Sequence, residues 1–336
     1  MLTIVPSFYL HCSQGVQLLG IGTFYVLKDF TCTINSEDSI VWRPVFRMSK
    51  VIADECNLSY AKEDVPADVT IVPLRGKRSD MGELSIRSVL VTGANRGIGL
   101  GFVRQFLQMP KPPEWVFAAC RDPKGQRAQE LQNLASRHPN LVITQLDVAD
   151  PSSIKTAAAR VEEQLGGSGL NLLINNAAIL KMTTLDGETL EDMIQVYTTN
   201  TAGPLLLGQA FLPLLKKAAQ GSSGSALSCS KAAIINISSL GGSIKEVYVW
   251  DLAHAVSYRC SKAALNMLTK CQSLGYREHG ILCVTLHPGW VQTDMGGPGS
   301  QITVEESVKA MLKLLSSLSE KDTGTFLNWE GKVMPW

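Results

Sequence analysis

From about residue 86 onward the chain alternates short, continuous apolar runs with longer segments whose apolar residues recur every three or four positions. A run of four to six apolar residues bounded by polar or glycine-containing stretches is the pattern of a strand buried on both faces, and the longer segments carry the period of helices. This reading predicts strands at 88–92, 115–119, 141–146, 171–175, 233–238, 282–286 and 324–327. It predicts helices at 97–108, 124–136, 152–164, 199–217, 257–276 and 304–316. Strands alternating with helices pair in parallel, and right-handed crossovers then give a doubly wound α/β sheet of seven strands with helices on both faces. The small polar stretch 220–231 is expected to be a flexible loop before the fifth strand.

Residues 1–84 follow no such pattern. Short apolar patches are broken by Pro44, Pro66, Pro73 and scattered charges, and the stretch Arg75-Gly-Lys-Arg-Ser-Asp-Met81 reads as a polar linker. The expected organisation is therefore a poorly ordered extension over 1–84 and one catalytic domain over 85–336. The uncharged stretch 1–27 is interrupted by Pro6, His11, Gln14 and Gln17 and has no basic start, so it fits neither a spanning helix nor a signal peptide.

Composition narrows the function further. Thirty-one Lys and Arg balance 30 Asp and Glu, which leaves no basic excess for nucleic-acid phosphates. The eight cysteines include no C-x-x-C pair, and no histidine stands at zinc-ligand spacing, so no metal site is expected. Unpaired cysteines inside apolar runs fit a reducing compartment, and a cytoplasmic location is expected.

Two motifs carry chemistry. Thr92-Gly93-Ala94-Asn95-Arg96-Gly97-Ile98-Gly99 follows the first strand and opens a helix. Glycines there let the backbone turn tightly and approach a pyrophosphate, while the helix N-terminus offers amides to the anion. Further on, Tyr258-Arg-Cys-Ser-Lys262 lies on a predicted helix, where a spacing of four puts phenol and ammonium on one face. A nearby cation lowers a tyrosine from its usual pKa of about 10 by roughly 1–3 units, which would make Tyr258 a workable proton donor.

These motifs occur in order with Asn175-Asn176-Ala177-Ala178, Asn200-Thr-Ala-Gly203, Asn236-Ile-Ser-Ser239 and Pro288-Gly289. Together they resemble the short-chain dehydrogenase/reductase family with its Rossmann-like fold, over residues 86–336. Within it the chain is most similar to the Sniffer and C-factor-like carbonyl reductases. The resemblance implies that Tyr258 is the acid/base, that Lys262 holds the nicotinamide ribose, and that Ser239 binds the substrate carbonyl. Asn200 would join Lys262 in a water-bridged proton relay. Ser239 is preferred to Ser238 because the family serine is usually the second of such a pair, and because alternate side chains on a strand face opposite ways. Ala178 stands where the family usually has glycine.

The implied cofactor is NADP(H). Its contacts would come from Gly93, Asn95, Arg96, Gly97, Ile98 and Gly99, from Asp147 and Val148 at the adenine, and from Asn176 and Ala177. Tyr258, Lys262, Pro288, Gly289 and Val291 would complete the site. Arg121 and Arg96 offer cations to a ribose 2′-phosphate, with Asp122 as the competing acidic residue and a helix cap as the alternative role for Asp147. Tyr248, Trp250 and Trp290 suggest an apolar or aromatic carbonyl as substrate, and packing roles suit both tryptophans equally. His254 and His287 are read as structural. The expected reaction is reduction of an aldehyde, ketone or quinone. The alternatives are an alcohol, steroid or retinol dehydrogenase and a non-catalytic dinucleotide-bound scaffold. No membrane partner is expected. A homodimer is, through 199–217 and 257–276, with Leu205, Leu206, Leu207, Leu265 and Leu268 offering apolar faces.

Overall fold

The computed structural model describes residues 84–221 and 226–336, together with four three-residue strands nearer the start of the chain. The chain divides into two compact units, Met1–Leu74 and Arg75–Trp336. In the first, Val16–Leu18 pairs antiparallel with Gly22–Phe24, and Cys32–Ile34 pairs antiparallel with Ile40–Trp42. Strands of three residues are too short to show a period in sequence. The expected poor order elsewhere in 1–84 falls outside the described residues, as does the middle of the 220–231 loop.

The second unit contains the parallel sheet. Its strands are β1 (Ser88–Thr92), β2 (Trp115–Cys120), β3 (Leu141–Gln145), β4 (Leu172–Asn175), β5 (Ala233–Ile237), β6 (Leu282–His287) and β7 (Phe326–Asn328). They lie in the order β7-β6-β5-β4-β1-β2-β3, all parallel. The helices are α1 (Gly97–Leu107), α2 (Gln129–Ala135), α3 (Pro151–Leu165), α4 (Leu190–Tyr197), α5 (Gly203–Gln220), α6 (Val256–Gly275) and α7 (Val304–Leu315).

Alternation along the strands divides the core in two. Val89, Val91, Val116, Ala118, Leu172, Ile174, Ile235 and Val284 face one side, packed with Phe102 and Phe106 of α1 and Val308 and Met311 of α7. Leu90, Phe117, Leu173, Ile234 and Cys283 face the other, with Ile154 and Val161 of α3 and Leu207 and Phe211 of α5. Both sets are buried, which is why these strands read as unbroken apolar runs. Each fully buried Leu or Phe contributes about 1.5–3 kcal/mol relative to exposure. Leu207 and Leu265, expected on a dimer face, belong instead to the chain's own interior, while Leu205 is exposed.

Local chemistry shifts several boundaries. The second helix starts late because Asp122 folds its carboxylate onto the Lys124 amide (3.2 Å), and the chain passes through a 3₁₀ turn at Gln126–Ala128. Asp150, not Asp147, caps α3, accepting from the Ser152 amide with Pro151 in the first turn. Thr303 and Glu306 form a capping box on α7. Residues Thr198–Ala202 form a π-helical segment between α4 and α5, where 199–202 were expected to start the fourth helix. Such widened turns interrupt α-helices frequently at functional sites.

A buried polar chain lies behind β4 and β5. Asn175 Nδ2 donates to Asn236 Oδ1 (2.8 Å), and Asn236 Nδ2 donates to Thr269 Oγ1 (2.8 Å) and Gln272 Oε1 (2.9 Å) on α6. Among the described residues no helix is long and apolar enough to cross a membrane.

Candidate active site

Because every strand of the sheet is parallel, the carboxyl ends of β1, β4, β5 and β6 share one edge, and the order reverses between β1 and β4. Ligands of doubly wound sheets bind in the crevice at such a reversal. Thr92 joins its two sides, with Oγ1 accepting from the amides of Asn176 and Ala177 at 3.0 Å each. Asn176 Nδ2 returns a bond to the Thr92 carbonyl (2.9 Å).

The glycine turn follows β1. Gly93 has φ +64°, a left-handed value, and a Cβ there would stand 3.0 Å from the Ala177 Cα. At Gly99 a Cβ would lie 2.2 Å from the Gly93 carbonyl oxygen, so α1 can pack this closely only as glycine. Arg96 is the N-cap of α1 but provides no side-chain cap, and no acidic residue occupies the first turn. The N-terminal amides and positive dipole end of α1 therefore retain their affinity for an anion. Asn95, Arg96 and Gly97 also line a groove of about 650 Å³ that reaches Gln292, Thr293 and Asp294. Ile98 packs against the core beneath them.

The cations read as phosphate ligands differ in their surroundings. Arg96 Nη1 pairs with Asp294 Oδ2 at 2.6 Å, both side chains being exposed. Arg121, directly after β2, is exposed and makes no hydrogen bond or ion pair among the described residues. Asp122 is turned into its own loop, where its Oδ2 occupies the position a Gly125 Cβ would take. Asp147 accepts from the Ala149 amide through Oδ1 (2.9 Å), and Val148 is buried beside it. Past β6, the Pro288 carbonyl accepts from Ser307 Oγ (2.6 Å), Gly289 has φ +88°, and buried Val291 bridges to Ile302.

The second cluster stands on β5 and α6. Ser239 caps a 3₁₀ turn, Leu240–Gly242, its Oγ accepting from the Gly241 amide at 3.0 Å. Ser238 is buried and turned to α6, with Oγ donating weakly to the Lys262 carbonyl (3.4 Å). Of the two serines, Ser239 is the one whose hydroxyl acts on the Tyr258 phenol. Lys262 is 2% exposed, and its Nζ donates to the Ile237 carbonyl (2.8 Å) and stands 5.6 Å from the centre of the Tyr258 ring. Burial pushes this ammonium down to about 7, since a low-dielectric interior disfavours the charged form.

Burial acts on the phenol as well. The Tyr258 phenol is raised above its ordinary value by desolvation, and the group opposing the rise is the Ser239 hydroxyl, not Lys262.

Asn200 sits in the π-helical segment and is buried. Its side chain clasps the backbone of Ile179, accepting from the amide and donating to the carbonyl at 2.9 Å each, and donates to Ser261 Oγ (3.0 Å). Ser261 thus belongs to the site framework and was missed from sequence, although it stands within the Tyr258–Lys262 motif. Glu188 was missed too. Its Oε2 accepts from the Ser257 amide (2.9 Å) and so caps α6, whose own N-cap residue, Ala255, provides no side-chain bond. A cap supplied from 69 residues away leaves no local signal.

The histidines take structural positions. His287 accepts from the Leu240 amide through Nδ1 (3.2 Å), and burial lowers it to about 4, so it is neutral near pH 7. His254 accepts from the Leu185 amide (3.3 Å) and stacks on Trp250. Trp290 Nε1 donates to the Gly296 carbonyl (2.7 Å), which makes it a packing residue of its loop.

Comparison with known proteins agrees with this geometry. Residues 87–301 match the model of the short chain dehydrogenase family. An NADPH-bound carbonyl reductase from chicken fatty liver is 72% identical in the aligned region, which covers 77% of this chain and 97% of that one, with a TM-score of 0.75. Carbonyl reductase Sniffer of D. melanogaster is 39% identical, over 75% of this chain and all of its own, with a TM-score of 0.71. The C-signal protein of Myxococcus xanthus is 35% identical over 168 residues, half of this chain and 93% of its own. The glycine turn at the strand reversal and the Ser239, Tyr258 and Lys262 cluster beside it are therefore features of a chain that belongs to the short-chain dehydrogenase/reductase family.

Proposed function

We propose that this protein reduces a carbonyl compound to an alcohol with NADPH. The observation that carries the reading is the convergence of Ser239, Tyr258 and Lys262 beside the glycine turn, on the sheet edge where α1 presents uncapped amides. The cofactor fits these residues: the glycines leave room for a pyrophosphate at the α1 terminus, and Arg121 and Arg96 suit a 2′-phosphate. Lys262 spends one of its three donors on Ile237 and keeps the others for ribose hydroxyls. The relative from chicken liver was solved with NADPH. When bound, the cofactor supplies the hydride.

The chain's own residues handle the oxygen. Ser239 donates to the carbonyl and stabilises charge developing there. Tyr258 protonates it, and a phenol held above its ordinary pKa is kept in the form that can donate. The Asn200 side chain is committed to Ile179 and Ser261, so its part in returning the proton would fall to its main-chain carbonyl, with Lys262 as the neighbouring donor. Exposed Ile244, Val247, Tyr248 and Leu252 supply an apolar rim for the substrate.

The test is NADPH consumption by the full chain with a panel of aldehydes, ketones and quinones, alongside Tyr258→Phe. The variant should lose at least about 100-fold in turnover, the low end for a general acid, with NADPH affinity nearly unchanged. A variant retaining most of its activity refutes the mechanism. NADPH binding without turnover on any member would point instead to a scaffold.

A further inference from the structure

The segment between Gly242 and α6 forms part of the substrate rim, and its backbone is strained. Among the described residues, Val249 (φ 49°) and Ala255 (φ 43°) are the two non-glycine residues with positive φ. A β-branched residue in the left-handed region persists only where its surroundings over-determine it.

The surroundings here converge on one side chain. Arg259 Nη2 donates to the Tyr248 carbonyl (2.8 Å), directly before Val249. The same Nη2 donates to the Ala253 carbonyl (2.9 Å), and Nε donates to the His254 carbonyl (2.8 Å), directly before Ala255. Its guanidinium carbon also lies 5.7 Å from the centre of the Trp250 ring, which stacks on His254 at 4.4 Å and 8°. One planar group thus grips both strained ends of the loop and the aromatic pair between them.

Arg259 is an unfavourable choice for its own helix. It lies in the first turn of α6, where a cation opposes the helix dipole, and its Nη1 is buried without a partner. It also follows Tyr258 directly, and a Cβ on Gly241, in the Ser239 turn, would stand 3.8 Å from the Tyr258 ring and 3.9 Å from the Arg259 Cγ. The residue therefore adjoins the acid, the serine turn and the rim together.

We infer that Arg259 is a positioning residue: it locks the Tyr248–His254 loop in its strained conformation as a wall of the substrate cleft. Resting on the carbonyl-reductase reading, this assigns Arg259 to substrate placement, with proton transfer left to Tyr258. Lysine cannot replace it, because a single ammonium does not present the planar fork that meets three carbonyls.

The experiment compares R259A and R259K in the full chain. It reads amide hydrogen exchange at Leu252, Ala253 and Ala255, and steady-state constants with NADPH and 4-nitrobenzaldehyde. Both variants should exchange these amides and raise KM by at least about tenfold, with kcat within about threefold and NADPH affinity unchanged. V249G should shrink the exchange effect of either substitution, since a glycine there no longer needs holding. If R259A fails to fold, R259K with and without V249G makes the same test. Unchanged exchange in the variants, or an effect indifferent to V249G, overturns the inference. If the wild-type chain turns over no carbonyl, the functional reading fails while exchange still decides the clamp.

Discussion

Lys262→Met exchanges a fully buried ammonium for an apolar chain of similar length. In the folded protein Lys262 titrates at about 7, against 10.5 for the ordinary side chain, and the cause is burial. Between those values the unfolded chain binds more protons than the folded one, so wild-type stability rises with pH across this window. The penalty is fully present below about pH 7 and is gone above about 10.5. Integrating the two titrations gives a penalty of about 4 kcal/mol at pH 7 and about 2 kcal/mol at pH 9. Methionine carries no penalty, but it leaves the Ile237 carbonyl without its donor, which costs about 1 kcal/mol at either pH. Lys262→Met should thus be more stable than wild type by about 3 kcal/mol at pH 7 and by about 1 kcal/mol at pH 9. Urea unfolding of the cofactor-free proteins at the two pH values measures the gap directly. Tyr258 does not confuse the comparison, because burial keeps its phenol protonated throughout. A folded value one unit higher still leaves the gap shrinking by about 1 kcal/mol. A stability difference that stays flat from pH 7 to pH 9 refutes the buried-ammonium argument.

Two further predictions concern the cofactor and the domain boundary. Arg121→Ala should weaken NADPH binding at least about tenfold more than NADH binding, since only NADPH carries the 2′-phosphate; equal losses in a fluorescence titration would make Arg121 structural. A chain starting at Met81 should match the full chain in turnover and melt within about 2 °C of it, because the sheet and both core layers lie beyond that point. Insolubility, or a several-fold loss of activity, would place the boundary elsewhere.

The sheet was legible in sequence for a specific reason. β1, β2, β4, β5 and β6 are buried on both faces, so burial wrote continuous apolar runs between polar turns. The Tyr258 and Lys262 pair was legible because helical spacing alone puts the two on one face. α4 was not: Leu190 and Ile194 are exposed, so the helix has little apolar face toward the core and rests on its Thr189 cap. The π-helical segment left no trace because an extra residue in a turn has no side-chain signature. The direction of the Tyr258 shift was out of reach for another reason. It depends on how deeply β5, α6 and the loops between them enclose the phenol, whereas the motif shows only its neighbours in sequence.

The buried polar chain from Asn175 through Asn236 to Thr269 and Gln272 bears on aim. An apolar helix face resting on a sheet would accept small rotations, because dispersion contacts have little direction. Hydrogen bonds from one asparagine to two acceptors on α6 do not. Thr269 lies two turns from Lys262 on the same stripe of the helix, about 10 Å along its axis. Asn236 therefore acts as an indexing pin: it sets the rotation of α6 from within the core, and Tyr258 and Lys262 inherit that setting at the cleft. The pin has a cost, since Asn175 Oδ1 and Gln272 Nε2 remain buried without partners. Stability is given up in the interior so that the phenol in the cleft points one way.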